Sequence, residues 1–168
     1  MLSKSIVPLA RSTLALAGEY AAAVELCRRG VYCQLTLGNH KKTDLIVDTG
    51  RKFHRVSVKA KQGEAWARVT GIWQPTDLLV FVDFAGKNLG ELPEFYVLNI
   101  SAWKAVTTTL MQKDKRARLN SENTLVWSAS DGKKDGWKGS AVRKREIEKY
   151  KDRWPNFGGV SNTDIVDA

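Results

Sequence analysis

The sequence predicts an α/β fold in one domain, with a mixed central sheet flanked by helices. Three observations carry this expectation. A long helical stretch opens the chain, two alternating segments at hairpin spacing follow it, and two continuous apolar runs of strand length precede a second helical stretch.

Each element has a local cause. Ser12 or Thr13 is placed to cap a helix through LALAGEYAAAVELCRR, which Gly30 ends, with Arg28 and Arg29 near its negative terminus. VYCQLTL at 31–37 is rich in strand formers, and TDLIVD at 43–48 alternates before the turn residues Thr49 and Gly50. A third strand from Lys52 to Lys61 puts His54, Val56, Val58 and Ala60 on one face and Arg55, Ser57, Lys59 and Lys61 on the other. LLVFVDF at 78–84 and FYVLNI at 95–100 read as strands covered on both faces. SAWKAVTTTLM forms a second helix with Ser101 as its cap. A strand at 124–128, a Gly/Lys/Asp-rich loop at 131–140 and a helix from Ala141 to Asp152, striped by Ile147, Tyr150 and Trp154, complete the reading. The core spans about 12–113 and a basic C-terminal extension about 114–168 of one domain, with no internal repeat or linker.

The formal net charge is +9. It is densest in residues 112–154, which carry 13 basic against 7 acidic side chains. Clustered cations release counterions when they meet phosphates, so the charge favours an anionic partner, DNA or RNA, without naming which. Only Cys27 and Cys33 are present, at a spacing that fits neither a paired zinc motif nor a disulfide framework, and buried filler is the expectation. No apolar stretch reaches bilayer length, and Arg11 interrupts the apolar patch before ALAG at 15–18, so the expected location is cytoplasmic.

The chemistry begins with Glu19, which helical spacing places on a stripe with Ala15, Ala22, Ala23 and Leu26. A carboxylate facing a core must be paired, hydrogen-bonded or metal-bound. Asp44 opens the second strand, and Ser57 and Lys59 share a face of the third, so a hairpin can bring one carboxylate against that pair.

GEYAAAVELCRRG, TDLIVD and RVSVK, spanning residues 18–59, resemble the PD-(D/E)XK nuclease superfamily, above all archaeal Holliday-junction resolvases and group I intron homing endonucleases. The resemblance implies a restriction-endonuclease-like fold and a catalytic set of Glu19, Asp44, Ser57 and Lys59. It implies a Mg²⁺ or Mn²⁺ site built from Glu19, Asp44 and the carbonyl of Val58, since hard oxygen ligands suit such ions. Lys59 would steady charge at the phosphate. Such a protein hydrolyses DNA phosphodiesters and works as a homodimer, and Lys41, Lys42, Lys61, Arg143, Lys144, Arg145 and Lys149 are the basic residues offered to nucleic acid. Ser57 departs from the pattern, which has an acidic residue or Gln two positions before the lysine. That departure sets the alternative: a catalytically decayed module of the same fold that binds nucleic acid or a protein partner.

Other patterns are weaker. LIVDTG at 45–50 resembles the aspartic-protease signature, but Arg51 and Lys52 follow it, and a hairpin turn explains Asp48-Thr49-Gly50 without catalysis. Gly86-Lys87 lacks the rest of a phosphate-binding loop. His40 and His54 complete no triad, packing accounts for Trp103 and Trp154, and VRKREIEKYKDR reads either as a DNA-tracking helix or as a solvated amphipathic one.

Overall fold

The computed structural model describes residues 7–36, 43–121, 124–128 and 135–157. Helix α1 (Arg11–Arg28) leads into strands β1 (Tyr32–Leu35), β2 (Leu45–Asp48), β3 (Phe53–Lys61), β4 (Ala65–Val69), β5 (Asp77–Asp83) and β6 (Glu94–Leu98). Helix α2 (Ile100–Lys113), β7 (Ala117–Leu119), β8 (Leu125–Ser128), β9 (Asp135–Lys138), β10 (Ser140–Arg143), the short α3 (Lys144–Ile147) and a 3₁₀ turn (Glu148–Tyr150) follow.

The central sheet has the order β1-β2-β3-β5-β6. Its pairs are antiparallel except β3 with β5, which run parallel. This is the mixed sheet flanked by helices that the sequence predicts. Strand β5 is buried along its whole length, as a central strand covered on both faces must be. One side packs on α1 through Ala22, Ala23, Leu26, Val58, Val80 and Val82, and the other packs Trp66, Phe81, Tyr96 and Leu98 against α2 through Trp103 and Val106. Two small sheets, β4 with β10 and β7-β8-β9, extend the second side. No helix among the described residues is long and apolar enough to cross a membrane.

Several expectations change. Helix α1 begins at Arg11 with Ala10 at its cap and no side-chain cap bond, so neither Ser12 nor Thr13 caps it. Ala15 is exposed, and the buried stripe of the helix is Gly18, Ala22, Ala23 and Leu26. Asn99, not Ser101, caps α2 by accepting the N–H of Ala102. The expected helix over 141–152 is a strand, a single helical turn and a 3₁₀ turn, because Val142 and Ser140 are buried in a ladder with β4 that overrides local helix propensity. Part of the expected loop at 131–140 is strand β9, and 131–134 lie outside the described residues. Strands β4 and β7 have no counterpart in the sequence reading. Cys27 is exposed rather than buried, Cys33 is half-buried, and their sulfurs stand 3.9 Å apart.

Asp48, Thr49 and Gly50 form the β2–β3 turn. Gly50 takes a φ of +71°, and its N–H is received by Asp48 Oδ1 at 2.8 Å. The carboxylate is thereby occupied in turn formation.

Candidate functional site

The register of β2 on β3 pairs Leu45 with Val56, which sets Asp44 opposite Ser57 at the end of the ladder. Asp44 N–H still donates to Val56 O at 2.8 Å. Beyond this point β2 has ended and β3 continues, so the N–H of Val58 lacks a strand partner on that edge. The Asp44 carboxylate supplies one: Oδ2 accepts Val58 N–H at 2.6 Å and Ser57 Oγ–H at 3.4 Å. On the same edge the ammonium of Lys59 donates to Val58 O at 3.0 Å. The strand alternation thus places Asp44, Ser57 and Lys59 on one sheet face, as the sequence predicts.

Glu19 reaches this group from α1. The helix lies close to β3 at Gly18, where a Cβ would stand 2.6 Å from Ala60 Cβ. That approach brings the next residue, Glu19, into the field of the strand site. Its carboxyl is held above the usual carboxylate range, first by burial, then by the Asp44 charge, with Lys59 opposing both. No hydrogen bond to the Glu19 side chain is formed among the described residues. Asp44, Ser57 and Lys59 thus stand together through bonds to one another or to Val58, and Glu19 lies within reach of the Asp44 and Lys59 charges.

A cleft of about 470 Å³ opens beside them, lined by Ser57, Val58 and Lys59, by Arg11 from α1, and by Arg68 and Trp73. Arg11, Arg68 and Trp73 are missed by the sequence reading. Arg11 is visible there only as an interruption of an apolar patch, and nothing in the pattern around Arg68 announces its place, since β4 itself is missed.

The basic residues offered to nucleic acid divide. Lys61 is removed from the set: it is 5% exposed, forms an ion pair with Asp83 at 2.6 Å, and lies with its ammonium 4.6 Å from the centroid of the Trp66 ring. Alternation predicts its face correctly, but that face is interior this far along β3. Lys144 is spent in an ion pair with Glu94 at 2.6 Å, where Lys151 adds a second at 2.8 Å. These two cations hold the Glu94 carboxyl down at about 2. Arg143, Arg145 and Lys149 remain exposed, though on no continuous helix. Lys41, Lys42 and His40 lie outside the described residues. His54 is half-buried, its Nδ1 3.1 Å from the carbonyl of Thr76.

No protein-family model matches this sequence, and no curated protein does. Among solved structures, that of a bacterial homing endonuclease, I-Ssp6803I, is similar with a TM-score of 0.46 at 15% identity, covering 86% of this chain and 90% of that one.

Proposed function

We propose that this chain is a metal-dependent endonuclease of the PD-(D/E)XK kind that hydrolyses DNA phosphodiesters. The observation that carries the reading is the pair Glu19 and Asp44. One carboxylate, with no hydrogen-bond donor among the described residues, is pushed toward its neutral form by burial and by the other, beside a lysine at the edge of a cleft. Two such carboxylates are stabilised together by a cation.

The donor set fits a hard divalent ion, Mg²⁺ or Mn²⁺. Among the described residues no group of three or more His, Cys, Asp or Glu could hold a metal ion, and the ligands would instead be the two carboxylates and the Val58 carbonyl, which keeps a second lone pair beside its bond from Lys59. When bound, the ion supplies polarisation of the phosphate and a water of lowered pKa. The chain supplies the rest. Lys59 places a positive charge where the phosphate becomes more negative, Arg11 and Arg68 hold phosphates in the cleft, and Ser57 fixes the rotamer of Asp44. A homodimer fits this reading, because Leu16, Tyr20 and Val24, spaced four apart on α1, are 47%, 55% and 53% exposed.

A second reading, a nucleic-acid-binding module without catalysis, is favoured by one observation: the residue facing Asp44 is Ser57, only 5% exposed and offering a hydroxyl. The deciding experiment incubates supercoiled, linear and four-way-junction DNA with Mg²⁺, Mn²⁺ or EDTA, beside Mg²⁺ titration calorimetry. Expected are metal-dependent cleavage, a loss of about 10²–10³ in rate for Lys59→Ala, and tighter Mg²⁺ binding with faster cleavage for Ser57→Glu. Catalysis is abandoned if the wild type cuts nothing with either metal and Ser57→Glu binds Mg²⁺ no better.

A further inference from the structure

A second cleft, of about 670 Å³, lies between the end of α2, the β7-β8-β9 sheet and the β10–α3 junction. Trp137 of β9 stands at its margin, 52% exposed. It is paired across the strands with Trp127, whose indole N–H is fixed by Asp114 Oδ2 at 3.2 Å. One tryptophan is thus anchored and the other is left partly open to solvent.

The residue that contacts that ring has a strained backbone. The guanidinium carbon of Arg68 lies 5.0 Å from the centroid of Trp137. Arg68 has a φ of +54°, in the left-handed region that non-glycine residues avoid, at an irregularity in the β4–β10 ladder. Gly139, with a φ of +81°, makes room for it: a Cβ there would fall 2.8 Å from the Arg68 carbonyl carbon. Arg68 also lines the cleft of Lys59. Arg68 lines one cleft and Trp137 the other, so their contact links the two linings.

The charge of the second cleft completes the picture. Its acids are satisfied internally: Asp114 is held well below the usual carboxylate range by Arg116, which donates two guanidinium bonds and a backbone N–H to it. Glu146 accepts from Lys113 Nζ at 3.1 Å and from Arg143 N–H at 2.9 Å. Arg145 is exposed and bonds to no described residue.

We propose that this second cleft binds an unpaired nucleic-acid strand leaving the Lys59 cleft, with a base stacked on Trp137 and its phosphates on Arg68, Arg143 and Arg145. A base presents a free face only when it is unpaired or extruded, because in a duplex both faces are covered by neighbouring pairs. The proposal rests on the nucleic-acid reading of this chain and not on cleavage.

The test is fluorescence anisotropy in EDTA with a short labelled oligothymidylate and a closed-hairpin duplex of the same charge. Trp137→Ala should weaken single-strand binding about 5- to 150-fold, the effect of losing one base stack, and leave duplex binding unchanged. Trp137→Phe, which keeps an aromatic face and the local packing, should bind nearly as wild type, and Arg145→Ala should weaken the single strand with a shallower salt dependence. Binding is read in EDTA, so a chain that cuts nothing can still pass. The proposal is overturned if Trp137→Ala binds the oligothymidylate normally, if it loses single strand and duplex equally, or if the wild type binds neither.

Discussion

Gly18→Ala tests whether the helix–strand approach builds the site. The added methyl carbon would meet Ala60 Cβ at 2.6 Å, whereas carbons rest about 3.5–4.0 Å apart, so α1 must withdraw from β3 by roughly 1 Å. Overpacking of this kind costs about 1–3 kcal/mol. Replacing a mid-helix glycine with alanine returns about 1 kcal/mol of helix propensity. The net loss of stability is then about 0–2 kcal/mol, small enough to leave the protein folded. The effect on the site is larger, because Glu19 follows Gly18 and moves with it, and a displacement of about 1 Å in a catalytic group costs on the order of 10²-fold in rate. Urea unfolding and Mg²⁺-dependent cleavage of plasmid DNA measure the two effects, and calorimetry follows Mg²⁺ affinity. Ala60→Gly in the same chain should restore both affinity and rate by reopening the space. The reasoning is refuted if Gly18→Ala gains the full helix propensity and binds Mg²⁺ as wild type, for then the contact does not set the position of Glu19.

Two further outcomes follow from the ion pairs. Asp83→Asn leaves Lys61 charged in an interior where each partner is about 5% exposed, and should cost about 3–5 kcal/mol in urea unfolding; Lys61→Met with Asp83→Leu should recover most of it, and DNA affinity should not respond to Lys61 beyond this. The Glu94 carboxyl, depressed to about 2 by Lys144 and Lys151, stabilises the fold above the ordinary carboxylate pKa and loses that contribution as pH falls through the folded value. The wild type should therefore lose on the order of 1 kcal/mol more than Glu94→Gln across the window from the ordinary carboxylate value of 4.5 to about 2, allowing for solvent screening, and an identical acid profile for the two would show that the contacts contribute nothing.

The legible part of the molecule is the part whose pattern is longer than its competitors. Helix α1 carries a run of strong helix formers stopped by Gly30, and β5 is an unbroken apolar run, so composition alone separates them from their surroundings. The placement of Asp44 against Ser57 and Lys59 is legible for a related reason. Strand alternation and hairpin spacing are local rules, and they suffice to set Asp44 opposite Ser57 and two residues from Lys59. What escaped was decided by tertiary pairing. The segment from β10 through the 3₁₀ turn carries basic residues at a spacing that also suits a helix, and only β4, the partner of β10, selects the extended form at its start. Strand β4 reads AWARV, a pattern too short to stand out, and its one unusual backbone, at Arg68, depends on a glycine 71 positions later in the chain.

The fate of Lys61 shows how far the local rule reaches. Ser57, Lys59 and Lys61 share a face, yet their surroundings differ: Ser57 meets Asp44, Lys59 lines a cleft, and Lys61 is enclosed by Asp83, Gly63 O and Trp66. Alternation fixes the side of the sheet to which a residue points, while the cover over that side is set by elements distant in sequence. Near Asp44 β2 has ended and the Asp44 carboxylate meets the free edge of β3, whereas at Lys61 the face is covered by Trp66 of β4 and the end of β5. The same strand therefore carries polar side chains beside a cleft at one point and a buried ion pair four residues further on. The boundary between them falls at Lys59, the residue that faces both the carboxylates and the cleft.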